Sequence, residues 1–202
     1  MALNTFADRS TKLSLWVGTE LIRASSHKQR ILVMQRFISI ADELLKLRNF
    51  EFTLAVLSGL KSVKIMSELW KGLKSKFLES YDALLALFSS KNNFAAYRQY
   101  PKDAPMIPYI GLLLQDLTFI EDGNKDDTTT SPLDPDIRWV NMRKMKLLAS
   151  VYSFISRAQT SAYETYSPLP MLRFFVTERM LDVLTEHEIR KKARELRNAK
   201  ET

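Results

Sequence analysis

Cysteine is absent from the 202 residues. That excludes a disulfide framework, a thiolate metal site and a cysteine nucleophile, and it suits a reducing compartment. Glycine and proline are scarce, at five and seven residues, which argues against an all-β or low-complexity chain. No uninterrupted apolar run reaches the ~20 residues of a membrane-spanning helix. The opening MALNTFADRS lacks the apolar run of a signal peptide. The only histidines, His27 and His187, stand apart in polar surroundings and read as surface residues rather than as a ligand or base. There is no Gly-x-Gly-x-x-Gly or Walker loop to cradle a phosphate.

What is present is apolar and basic. Hydrophobic residues make up 46% of the chain, enough for a sizeable core, and the length suits one domain. The net charge of +7 arises from 30 Lys and Arg against 23 Asp and Glu. Such a balance suits nucleic acid, an anionic membrane or an acidic protein surface, but here the charge is spread out. Its densest run, EIRKKARELRNAK at residues 188–200, is interleaved with Glu188 and Glu195 and holds no aromatic to stack on a base. It reads as a solvated helical tail, and nucleic acid is not expected as a partner.

Helical spacing dominates. Ile31, Met34, Ile38, Ala41 and Leu45 recur at steps of three and four. Leu54 and Leu57 continue the pattern after LRNFEF, and Phe77, Tyr81, Leu84, Leu85 and Phe88 mark another helix. Pro101, Pro105 and Pro108 forbid a continuous helix through YPKDAPMIP. A long helix is expected from about Asp136 to Gln159, with Met145, Leu148, Tyr152 and Ile155 on one face and Arg143, Lys144 and Lys146 toward the others. One or two shorter helices follow. No alternating strand pattern or repeat is visible, so the expected class is all-α, a single domain.

One helix is odd. PYIGLLLQDLTFIEDGN, residues 108–124, is apolar on nearly every side and ends in Glu121 and Asp122 before the Gly123-Asn124 stop. Carboxylates in a last turn face the negative end of the macrodipole, which costs roughly 0.3–1 kcal/mol each at an exposed site. Asp126-Asp127 lies close by, but no Asp-x-Asp-x-Asp-Gly frame accompanies it, so no metal site is expected. The polar stretch KDDTTTSPLDPD then separates this helix from the long one.

The odd helix resembles the segment of the Ras guanine-nucleotide exchange factor catalytic domain that ends Asp-Leu-Thr-Phe-Ile-Glu-Glu-Gly-Asn. Further blocks follow the family's order. SLWVGTELI (residues 14–22) and FISIADELLKLRNFEFTLAVLSGLKSVKI (37–65) resemble two of them, and KNNFAAYR (91–98) and VNMRKMKLLASVY (140–152) resemble two more. The likeness implies one helical domain over residues 1–202 with a projecting helical hairpin at about 109–159, whose loop is 125–135. The family's usual first helices are expected to be missing.

The resemblance also implies a mechanism. Such a domain binds a Ras-family small GTPase and promotes GDP release by inserting the hairpin, displacing a switch region and the GTPase's magnesium. No bond is made or broken, no cofactor is needed, and nucleotide is not bound directly. By matching positions, Thr118 would occupy the magnesium site, and Asp122, with Glu121 beside it, would take over a phosphate-loop hydroxyl. Ala41, Arg48, Phe94 and Tyr109 would face the second switch, while Gln115, Asp116 and Asn124 would flank the wedge. Two departures stand out: Arg48 replaces the first of two asparagines, and Asp122 replaces a glutamate one methylene longer. The alternative reading is a GTPase-binding scaffold with weak or no exchange activity. The expected location is cytoplasmic, with recruitment to a membrane surface through the GTPase.

Overall fold

The structure, a computed structural model, describes residues 2–63, 67–103, 105–130, 138–164, 169–180 and 182–198. Helices α1 (Ala2–Arg23), α2 (His27–Lys46), α3 (Phe50–Ser62), α4 (Ser67–Lys71), α5 (Ser75–Leu87) and α6 (Ala95–Gln99) come first. They are followed by α7 (Ile110–Gly123), strands β1 (Asp127–Thr130) and β2 (Arg138–Val140), α8 (Met142–Thr160), α9 (Pro170–Arg179) and α10 (Glu186–Asn198). The class is all-α, as expected. The chain divides into two compact units, Met1–Lys102 with Thr165–Thr202, and Asp103–Glu164.

In the first unit α3 is the central element, packed against α1 and α2. Its sequence explains why. Phe50, Val56, Leu57 and Leu60 are fully buried on a helix with few polar positions. They meet Val17 and Leu21 of α1 and Met34 and Ile38 of α2, which are equally inaccessible. Gly59 sets the α1–α3 distance: a Cβ there would lie 2.5 Å from the Ser14 carbonyl oxygen and 2.6 Å from Val17 Cβ. Asn49 caps α3 by accepting from the Phe52 amide at 3.2 Å, and Ser26 caps α2 by accepting from Gln29.

The apolar stripe of α2 is oriented as its spacing predicts, with Met34, Ile38 and Ala41 buried. Likewise Tyr81, Leu84 and Phe88 bury one side of the α5 region. The basic tail differs from expectation. Helix α10 is not wholly solvated: Ile189 and Ala193 are fully buried, and α10 packs on α1 and α3. Gly18 makes room, since a Cβ there would come within 2.9 Å of Ile189 Cδ1. The reason is an i, i+4 apolar pair running through an otherwise charged helix.

In the second unit α7 and α8 pack together as an antiparallel hairpin. Between them β1 and β2 form an antiparallel ribbon, with Asp127 opposite Val140 and Thr130 opposite Arg138. The long helix therefore starts at Met142, not at about Asp136, because Arg138–Val140 is extended. Asn141 fixes the start by accepting from the Lys144 amide at 3.0 Å. Residues 131–137, which include much of the expected loop and the expected helix start at Asp136, lie outside the described residues. On α8, Met145 and Tyr152 of the expected apolar face are 36% and 61% exposed, whereas Lys144, expected off that face, is buried. Among the described residues no helix is long and apolar enough to cross a membrane.

Candidate functional site

Helix α7 carries most of the residues singled out from the sequence, and the backbone sorts them onto different sides. Leu114, Thr118 and Asp122 follow each other at i, i+4 and i+8, so they form one stripe. All three are exposed. The Thr118 hydroxyl donates back to the Leu114 carbonyl at 3.0 Å, so its polar group is satisfied within the helix. Asp122 ends the stripe and has no hydrogen-bond or ion partner among the described residues. Phe119 broadens the edge and is 57% exposed.

Glu121 faces elsewhere. One residue back is about 100° around the helix, and its carboxylate pairs with the ammonium of Lys144 on α8. The same ammonium donates to Asp126 Oδ1 at 2.6 Å. Hydrogen bonds to Asp126 first and Glu121 second, reinforced by their charges, hold the Lys144 pKa above its ordinary value despite burial. Glu121 and Asp126 of the acidic cluster thus close on the protein's own ammonium. Among the described residues no group of His, Cys, Asp or Glu can hold a metal ion.

The ends of α7 are tied down locally. Asn124 donates from Nδ2 to the Ile120 carbonyl at 3.0 Å and so satisfies one C-terminal acceptor. Tyr109 precedes the helix and folds its ring over Gly111; a Cβ there would lie 2.8 Å from the phenol oxygen. Gln115 and Asp116 are half-buried, around the helix from the exposed stripe.

The other three candidates belong to the first unit. Ala41 has no accessible surface and packs in the core; exposed apolar residues near it in sequence are Ile40 on α2 and Leu47 just after that helix, at 43% and 52%. Arg48 has φ 54°, a left-handed conformation that asparagine tolerates better than arginine. Phe94 caps α6 at φ 58° and follows Asn92 and Asn93, both also left-handed. A bulky residue there is a genuine outlier, and the turn persists because Arg98 fastens it. Its Nε donates to the Asn93 carbonyl at 2.8 Å and its Nη2 to Asn93 Oδ1 at 3.3 Å. Beneath, Tyr97 lies edge-on to Phe50 at 5.2 Å and stacks on Phe88 at 5.7 Å.

Three features escaped the sequence reading. Leu114 and Phe119 were submerged in a helix apolar on most sides, though Leu114 stands four residues before Thr118. Lys144 reads as one of three cations off the apolar face. Trp139 and Met142, 55% and 61% exposed at the ribbon and the start of α8, fell inside the long helix expected from about Asp136 and were not among the residues of its apolar face.

Comparison with known proteins shows the family. Residues 1–146 match the RasGEF domain. The chain is 36% identical over 184 residues to Ras guanine nucleotide exchange factor M of Dictyostelium discoideum, covering 89% of this chain and 19% of that protein. It is 41% identical over 131 residues to exchange factor E of the same organism, covering 62% of this chain and 13% of that protein. It is 36% identical over 156 residues to Guanine nucleotide-releasing factor 2 of Drosophila melanogaster, covering 73% of this chain and 10% of that one. The chain thus spans at most about a fifth of the length of these relatives. With the motif blocks, the helical hairpin and these likenesses in agreement, the chain belongs to the RasGEF domain family.

Proposed function

We propose that this chain promotes release of GDP from a Ras-family small GTPase by presenting the exposed edge of α7 to the nucleotide site. One observation carries the reading: the exposed stripe of Leu114 and Thr118 ends in the carboxylate of Asp122, which has no partner among the described residues. The apolar part displaces a switch of the GTPase, with Thr118 standing where its magnesium was. Asp122 offers a negative acceptor to hydroxyls that served metal and phosphate. Phe94 on its strained turn, Arg48 and Tyr109 contact the second switch, and Gln115, Asp116 and Asn124 flank the wedge. Ala41, fully buried, contributes only through the core.

Exchange needs no covalent step. Nucleotide and exchange factor oppose each other on the GTPase, and that coupling is reciprocal. Each tenfold loss of nucleotide affinity corresponds to about 1.4 kcal/mol of differential binding. Loss of a divalent cation and approach of a like charge to the phosphates are large terms in a water-poor interface.

The test is release of a fluorescent GDP analogue from a panel of Ras-, Rap-, Ral- and Rho-type GTPases. Asp122→Ala is expected to slow release by at least about tenfold, the equivalent of 1.4 kcal/mol. Thr118→Glu also slows it, through lost shape and added charge. Wild-type rates in both variants refute the wedge. A second reading has its own support: Glu121 is engaged by Lys144, so only the shorter Asp122 is presented. A GTPase-binding scaffold follows if the domain binds a panel member without releasing nucleotide and Asp122→Ala leaves that affinity unchanged.

A further inference from the structure

Lys144 lies in the first turn of α8, where a cation faces the positive end of the helix dipole. It is also only 3% exposed. Glu121 lies in the last turn of α7, where a carboxylate faces the negative end. Each charge is misplaced on its own helix. The antiparallel hairpin brings the two misplaced charges together, so that the wrong sign at each helix end is answered by the other. Asp126 supplies the second carboxylate at 2.6 Å.

Asn141 completes the joint. Its Nδ2 donates to the Lys125 carbonyl at 2.9 Å, its backbone N–H to the Asp126 carbonyl at 2.8 Å, and its Oδ1 caps α8 at the Lys144 amide. The segment leaving α7 is therefore held through both its backbone and its carboxylates by two residues of one helix start. A buried ammonium that loses a partner is strongly disfavoured, so the joint forms or opens as a whole.

Resting on the exchange reading, we infer that Lys144 is the positioning residue of the hairpin. It removes Glu121 from the partner-facing set and fixes the roll of α7. The Leu114–Thr118–Asp122 stripe then faces outward with one carboxylate at its end. If Lys144 is removed, Glu121 and Asp126 are left as close like charges. The last turn of α7 then frays, and Asp122 loses its fixed placement. Lys144 does not touch the nucleotide site in this account; it acts through α7.

The experiment uses the full chain and two readouts. The first is the rate of tryptic cleavage after Lys125, followed by fragment mass, because the joint grips the Lys125 carbonyl. Lys144→Met is expected to accelerate that cut on the order of tenfold, as local opening becomes more frequent. Lys144→Arg, which keeps the charge, stays within about threefold of wild type. Glu121→Gln also accelerates the cut, and adding it to Lys144→Met gives little further change, since both open the same joint. The second readout is GDP release. Lys144→Met lowers the maximal release rate while the half-saturating GTPase concentration holds, and Lys144→Arg restores the rate. Unchanged cleavage in both Lys144→Met and Glu121→Gln, or an arginine variant as impaired as the methionine one, overturns the inference. If the unaltered chain releases nucleotide from no GTPase, the exchange reading fails instead, and the cleavage rates alone decide whether Lys144 holds the joint.

Discussion

The two units are held together by different physics. The first buries Phe50, Leu57, Leu60, Met34, Ile38 and Ile189 completely, and such side chains contribute roughly 1.5–3 kcal/mol each on leaving water. In the second, the buried described residues are Met106, Pro108, Leu112, Asn141 and Lys144, so two of the five are polar. An apolar core tolerates small rearrangement and resists collective failure. A polar joint fixes angle and register but opens at once when a partner is lost. The first unit carries the oily core. The second, to which the exchange edge is proposed to belong, leaves Leu114, Phe119, Trp139 and Met142 exposed and relies on a directional clamp.

The contrast breaks most visibly at Phe50. It is fully buried, with Tyr97 and Tyr100 rings edge-on at 5.2 and 5.7 Å. Phe50→Ala is expected to cost about 3–5 kcal/mol, read as a lower urea midpoint at unchanged slope. Gly59→Ala follows, because its Cβ meets the backbone oxygen of Ser14 rather than a movable side-chain end. Separating α1 from α3 costs on the order of 1–3 kcal/mol. A loss below half a kcal/mol in either variant shows that the first unit does not depend on the Phe50 core and the close α1–α3 packing.

A third change sharpens the contrast in the opposite direction. The first unit holds local strain, such as the left-handed Arg48. Arg48→Asn should relieve it and raise stability by up to about 1 kcal/mol. A loss of stability on that change assigns Arg48 a structural contact worth more than the strain. On the second unit Leu114→Ser should move thermal stability by less than about 0.5 kcal/mol, since the side chain is already 46% exposed. The same variant is expected to slow nucleotide release, which separates a working surface from a structural one.

Much of the first unit was legible in the sequence because its physics is periodic. The stripe of Met34, Ile38 and Ala41 announced a buried face, and burial followed. The second unit was legible only where a motif resemblance spoke for it. Spacing alone could not tell Glu121 from Asp122, nor Lys144 from Arg143 and Lys146. Those distinctions arise from which side chain meets the other helix, a relation across more than twenty residues of chain. The ribbon escaped because strands of four and three residues give alternation too little length to register. Helix α10 shows the converse failure: Ile189 and Ala193 were visible, but the charges around them outweighed two apolar positions.

The smallest expected effect concerns that same helix and its dependence on pH. Thr185 and Glu188 form a reciprocal cap. The Thr185 amide and hydroxyl donate to Glu188 Oε2 at 2.8 and 2.7 Å, and the Glu188 amide donates to Thr185 Oγ1 at 3.3 Å. The Thr185 amide bond first and its hydroxyl second, with weaker help from Lys192 and His187, hold the Glu188 pKa below the ordinary glutamate value. A depressed folded pKa gives stability that is complete above the unfolded value of about 4.3 and disappears as pH falls through the lower folded one. Amide exchange at Ile189 and Arg190, corrected for intrinsic rate, should therefore quicken on acidification in that window. The Arg23–Asp182 pair at 3.0 Å also weakens in acid, since Arg23 holds the Asp182 carboxyl below its usual range. The two are separated by Glu188→Gln, which removes the acid response contributed by the cap and leaves that of the ion pair. Loss of the whole response in Glu188→Gln makes the cap the sole acid-sensitive element at this end of α10, and an unchanged response assigns it to Asp182.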